Sequence, residues 1–171
     1  MKSIRLIPFL SLLLFSAVGL HGISADKVAG KLVNAKGEAA PSDVLSGKPY
    51  VLYYFSAHWC PPCRKFTPRL IDFYNNEGGG VDFELVFVSS DRSAKDMAAY
   101  MTETGMPWWA LAFDAIAGSG LRSEGGPYIP ALVLTDESGK VLSSSYDEAS
   151  QQSRGVDAVV QDLRSLIKSG S

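Results

Sequence analysis

The chain has 171 residues, 46% of them hydrophobic, with 16 Lys and Arg against 18 Asp and Glu. That length suits one domain around a single core, and a net charge of −2 leaves no basic surplus for binding nucleic acid. Two cysteines, Cys60 and Cys63, are too few for a scaffold held together by several bridges.

Residues 1–25 follow the pattern of a secretory signal: Lys2 and Arg5, an apolar stretch over 6–20, then small residues ahead of Asp26. Cleavage is expected after Ser24 or Ala25, leaving one domain over 26–171. The alternative is a retained membrane anchor, but Pro8, Ser11, Ser16 and Gly19 interrupt a segment already short for a bilayer span. Cleavage would remove two basic residues and no acids, so 14 basic residues would face 18 acidic ones, a net charge of −4.

Residues 28–33 read as a first strand closed by a turn at 34–37, and 42–46 as a short turn or helix. The apolar run that follows predicts a central strand over 50–56. Directly after it stands Trp59-Cys60-Pro61-Pro62-Cys63-Arg64, and after that the helical pattern Phe66, Leu70, Ile71, Phe73, Tyr74. A strand ending just before a helix delivers Cys60 to the helix N-terminus, where unpaired N–H groups and the positive dipole end favour a thiolate. Thiolate is the attacking species in disulfide exchange, so Cys60 reads as an exposed nucleophile and Cys63, one turn on, as the resolving thiol.

Other uses of the Cys-x-x-Cys spacing fit less well. Covalent haem attachment needs His after the second Cys, and Arg64 stands there. A zinc site needs four ligands, and outside the N-terminal segment the chain offers one histidine, His58. A purely structural disulfide would close a very short loop and leave the remaining domain unstapled. No metal and no bound cofactor is therefore expected.

The helix after the motif is expected to reach about Tyr74, with a kink at Pro68, and to stop at 75–80. The nearly continuous apolar run 83–89 predicts a strand covered on both faces. Ser93 is placed to cap a helix over 94–104. Trp108 and Trp109 are expected to cover the sheet edge, and the Gly- and Ser-rich stretch 117–126 to hold a short irregular helix and a mobile loop. Residues 131–134 and 140–144 read as an antiparallel hairpin around a turn at 135–139. Val156, Val159, Val160, Leu163, Leu166 and Ile167 recur at helical spacing and predict a final amphipathic helix. Strands and helices alternate along the chain, the mark of an α/β domain.

With these elements placed, the chain resembles the thioredoxin superfamily, and within it the tryparedoxin and nucleoredoxin branch, over nearly all of 27–168. Three blocks carry the likeness: the stretch from Tyr54 through the Cys60-Pro61-Pro62-Cys63 motif to Pro68; residues 83–92; and Met106-Pro107-Trp108 with Ile129-Pro130. The resemblance implies a thioredoxin-like α/β fold, a central mixed β-sheet with helices on both faces. It also implies a cis proline at Pro130 packed against the dithiol, which would expose the Ile129 backbone to an incoming extended polypeptide. Read without the family, Pro130 is an ordinary trans proline starting a strand. One departure bears on mechanism. Thioredoxins proper carry a buried aspartate six residues before the nucleophile, where this chain has Tyr54, as tryparedoxin-like sequences do. A phenol with an ordinary pKa of about 10 is no base near neutral pH, so Tyr54 is left to donate a hydrogen bond or to pack the core.

Together these features predict an exported protein, periplasmic or secreted, acting as a monomeric thiol–disulfide oxidoreductase on protein disulfides. Cys60 and Cys63 would do the chemistry, and Trp59, Pro61, Pro62, Ile129 and Pro130 would meet the substrate. Neither Pro61 nor Pro62 has an N–H to offer, so Cys60 should be a weakly stabilised thiolate in a reducing couple. A reductase in an oxidising compartment needs electrons from a membrane thiol donor. Two alternatives stay open: a redox-sensitive binding module with little turnover, and an electron donor to a thiol peroxidase. His58 and Arg64 are read as solvated loop residues or weak modulators of the thiol, and Asp91 and Arg92 as matches to the family block that surface pairing explains equally well.

Overall fold

The computed structural model describes residues 22–23 and 27–170. Eight strands and five helices follow in chain order: β1 (Leu32–Val33), β2 (Tyr50–Ser56), α1 (Pro61–Asn76), β3 (Phe83–Ser89), α2 (Ala94–Thr104), β4 (Trp109–Leu111), α3 (Phe113–Ser119), α4 (Leu121–Glu124), β5 (Ala131–Asp136), β6 (Val141–Ser144), β7 (Tyr146–Asp147), β8 (Gln152–Ser153) and α5 (Val156–Gly170). The main sheet has the order β1-β4-β3-β2-β5-β6, and β7 and β8 form a small separate ribbon.

The two central strands are the most apolar, because both of their faces are covered. All seven residues of β3 are buried, and β2 is buried from Val51 onward. They run parallel, with Tyr54 opposite Phe87, and β5 pairs with β2 in the antiparallel sense. Tyr54 and Phe87 therefore share a face, where Phe66 of α1 meets Tyr54 and Tyr100 of α2 meets Phe87. Phe55 points the other way, and there Gly125, at the end of α4, lies so close that a Cβ would sit 2.6 Å from the ring. Helices thus cover both faces of a mixed sheet, the thioredoxin-like α/β architecture.

Several elements fall where the sequence places them. Residues 42–47 form turns, β3 spans 83–89, and Ser93 caps α2 by accepting the Asp96 N–H at 3.1 Å. Gly105 ends α2 in the left-handed conformation, at φ 68°. The final helix buries Val159 and Leu163.

Other elements differ. The first strand is two residues long, because Lys31 N–H bonds to Val28 O and closes a turn with Gly30 at φ 67°. Helix α1 extends to Asn76 and runs unbroken through Pro68; the carbonyl that Pro68 leaves without a ladder partner belongs to solvent-exposed Arg64. Trp109 does not cover the sheet edge but opens a strand, β4, which pairs parallel with β3 and antiparallel with β1. Trp108 is buried in the core against Tyr54 and Tyr74. The stretch expected to be one short helix and a loop holds two helices separated by Gly120 at φ 70°. The hairpin strand β5 takes in Thr135 and Asp136 as well.

Of the segment read as a signal, Gly22 and Ile23 are described. Gly22 bridges to Lys140, Ile23 N–H bonds to Gly139 O at 2.8 Å, and the Ile23 side chain is fully buried. Residues 1–21 and 24–26 lie outside the described residues.

Candidate active site

Strand β2 ends at Ser56, and after four intervening residues α1 begins, with Pro61 and Pro62 in its first two positions. Prolines suit those positions, since the N–H groups they lack have no partner within the helix. Cys60 is the N-cap, and its sulfur accepts the first free N–H of the helix, that of Cys63, at 3.3 Å. The two cysteines are joined in a disulfide. Across from them the Ile129–Pro130 peptide is cis, as the resemblance implied, and the Ile129 carbonyl oxygen lies 3.7 Å from Cys60 Sγ.

The loop between strand and helix is pinned by the end of β3. His58 N–H donates to Asp91 Oδ1 at 2.8 Å, while Asp91 Oδ2 accepts from Ser89 Oγ at 2.8 Å. Trp59 Nε1 donates to Ser90 O at 3.2 Å, which holds the indole against the strand end while leaving the side chain 57% exposed. Asp91 is therefore no surface ion pair. It is buried, and its carboxylate fixes the backbone that presents Trp59 and Cys60.

Cys60 is not exposed, contrary to the sequence reading: it retains 4% of its surface, and Cys63 none. Ala57 and Ile129 pack on its flanks, and its sulfur is bonded inward to Cys63. The rim is open instead, with Trp59, Pro61, Pro62 and Tyr128 all exposed. Any reactant must approach the sulfur past these residues.

Beneath Cys63 lies a buried hydroxyl network. Thr67 Oγ1 donates to Cys63 O at 3.0 Å; Tyr54 lies 2.8 Å from Thr67 Oγ1, Tyr100 2.5 Å from it, and Ser56 Oγ 3.2 Å from the Tyr100 hydroxyl. Thr67 has one proton, so with that proton on the carbonyl both tyrosines donate to Thr67 and Ser56 donates to Tyr100. Every buried hydroxyl then has a partner. Burial, reinforced by neighbouring Tyr100, drives the Tyr54 phenol well above its ordinary pKa. Tyr54 stays neutral and acts as donor and packing ring at once, against Phe66, Phe87 and Trp108.

His58 stacks on Tyr100 with ring centroids 5.5 Å apart, and its Nε2 lies 2.8 Å from Glu103 Oε2. It belongs to the loop's support on α2, not to the rim. The sequence reading missed Thr67, Tyr100 and Tyr128, and misjudged Asp91. The last was within reach, since a polar Ser89-Ser90-Asp91 run at the carboxyl end of a buried strand sits where α/β sheets gather their functional groups.

Comparison with known proteins agrees with this geometry. The family model described as thioredoxin-like matches residues 47–141. The chain belongs to the thioredoxin-like family. Among its thioredoxin-like relatives, human nucleoredoxin is 40% identical over 119 residues, covering 68% of this chain and 27% of that protein. The chain thus spans little more than a quarter of the nucleoredoxins it matches. Tryparedoxin of Trypanosoma brucei brucei is 43% identical over 86 residues, 50% of this chain and 57% of its own length. The solved structure of tryparedoxin I from Leishmania major superposes with a TM-score of 0.62 at 33% identity, covering 79% of this chain and 87% of that one. The chain is a thioredoxin-like redox protein with a Cys60–Cys63 pair.

Proposed function

We propose that this protein is an exported thiol–disulfide oxidoreductase that reduces disulfides in other proteins. The observation that carries the reading is Cys60 itself, a helix N-cap disulfide-bonded to the buried Cys63, with the Ile129 carbonyl beside it and an open apolar rim around it. In the reduced protein, Cys60 thiolate attacks one sulfur of a substrate disulfide, forming a mixed disulfide and expelling one substrate thiolate. Cys63 then gives up its proton and attacks Cys60 Sγ, releasing the second substrate thiol and closing the Cys60–Cys63 bond. Two electrons pass to the substrate, and a thiol donor, which for an exported protein would be carried by a membrane, must restore the dithiol.

Reduction is the favoured direction. Among the described residues a single N–H, that of Cys63, reaches Cys60 Sγ, and the partly negative Ile129 oxygen stands near it. Both leave the thiolate weakly stabilised, and a weakly stabilised thiolate makes the couple more reducing. With Tyr54 held neutral, the proton of Cys63 passes to water or to the departing thiolate.

Insulin reduction with dithiothreitol as donor tests the reading: wild type turns over, Cys60→Ser does not, and Cys63→Ser accumulates the mixed disulfide. A Cys60→Ser variant as active as wild type overturns it. The low exposure of Cys60 favours one second reading, a redox-sensitive binding module. In that case Cys63→Ser captures partners while wild type shows no turnover.

A further inference from the structure

Beside the dithiol, on the side of Trp59, lies a cleft of about 230 Å³. Trp59 and Tyr128 flank it, exposed by 57% and 69%. Phe55 and the Gly125-Gly126 pair form its floor. The floor requires glycines: a Cβ on Gly125 would meet the Phe55 ring at 2.6 Å, and one on Gly126, which sits at φ 76°, would meet the Tyr146 ring at 2.7 Å. Among the described residues that line the cleft, Arg122 is the one charged side chain, and no carboxylate faces it.

Arg122 is held in place without being neutralised. Its Nη2 donates to Ser89 O at 3.2 Å, the carbonyl next to the one that anchors Trp59. Two successive carbonyls at the end of β3 thus fix an aromatic wall and a cationic wall. A guanidinium has five N–H donors, and a neutral carbonyl consumes one without cancelling the charge. Asp91, two residues beyond that carbonyl, is buried and spends its oxygens on His58 N–H and Ser89 Oγ. Among the described residues no carboxylate lies within ion-pair distance of Arg122.

From this arrangement we infer that Arg122 is a specificity-determining residue: the cleft takes a polypeptide segment that carries an acidic side chain next to the disulfide to be reduced. The carboxylate pairs with the open side of the guanidinium, where two parallel N–H···O bonds are geometrically favoured. Apolar atoms of the same segment lie between Trp59 and Tyr128, which offer large contact area at little cost in side-chain freedom. The inference rests on the dithiol being a protein-disulfide reductase.

The test uses two synthetic peptide disulfides that differ only in having Asp or Lys beside one cysteine, and the readout is the ratio of their kcat/KM values. Wild type prefers the Asp peptide by about five-fold at low ionic strength, the scale of one exposed charge pair with its opposite-sign control. Arg122→Gln brings the ratio close to one, Arg122→Glu inverts it, and Arg122→Lys restores part of it. The wild-type preference shrinks at high salt. A ratio taken within each variant is insensitive to a general loss of folded protein. Turnover of both peptides with no preference in wild type, or with a preference that survives Arg122→Gln and Arg122→Glu, overturns the inference and leaves the reductase standing. A wild type that turns over neither peptide removes the reductase reading and this inference together.

Discussion

Two buried carboxylates bracket strand β3, and they are used in opposite ways. Asp91, just past the carboxyl end, spends its oxygens on a backbone N–H and a hydroxyl of the loop and strand that shape the dithiol. Glu84, near the amino end, accepts the Tyr74 hydroxyl at 2.8 Å and the Leu85 N–H at 2.9 Å, far along the strand from the cysteines. There the chain packs tightly for its own sake: Gly79 lies against the Tyr74 ring, Lys48 Nζ reaches Gly80 O, and Leu85 is fully buried. One end of the sheet holds a working loop in place and the other holds the sheet together, so the two ends should separate activity from stability.

The largest expected effect is at the packing end. Leu85→Ala should cost about 3 kcal/mol, the range for truncating a fully buried aliphatic side chain, with activity per folded molecule unchanged. Urea denaturation followed by insulin reduction below the transition measures both. Next comes Asp91→Ala, which strands the buried Ser89 hydroxyl and the half-buried His58 N–H and should cost about 2 kcal/mol. Unlike Leu85→Ala, it should also raise KM in the insulin assay, because Trp59 and Cys60 lose their tether; unchanged KM would break the contrast between the two ends. Gly79→Ala comes third, at about 1.5 kcal/mol, since the added Cβ must push against the Tyr74 ring and carbonyl. Turnover of the folded fraction should not move.

The smallest effect is a dependence on pH. Burial pushes the Glu84 carboxyl above its ordinary value, against the opposing pull of the Leu85 N–H, the Tyr74 hydroxyl and Lys48. An acid with a raised folded-state pKa favours folding while protonated, so wild-type stability falls as pH rises from about 4.5 through the raised value. Glu84→Gln removes that slope. Its stability relative to wild type should therefore grow between pH 4.5 and pH 7 in paired denaturation curves, and a constant difference would show that Glu84 does not titrate in this range.

How much of this was legible in the sequence depended on the range of the interaction. The Cys60-Pro61-Pro62-Cys63 motif, the buried run of β3 and the Ser93 cap are written in neighbouring residues, and each was found where expected. Strands of two or three residues are too short for a period to show, so β1 was drawn too long and β4 was missed. The burial of Cys60 was hidden because Ile129, 69 residues away, covers it. Asp91 looked like a surface charge because its partner His58 is 33 residues distant. Arg122 sat in a stretch read as irregular, and nothing local connects it to Trp59; the link is the end of β3.

The N-cap of α1 has one more consequence. The sulfur that receives the Cys63 amide proton is also the atom that any covalently attached polypeptide would occupy. The acceptor is a neutral disulfide sulfur here and a charged thiolate in the reduced protein, so reduction tightens the opening coil of α1 and forming any S–S bond at Cys60 slackens it again. Deuterium uptake at the Cys63 amide would then read the bonding status of Cys60 directly, turning the backbone into a built-in gauge of where the protein stands in its cycle.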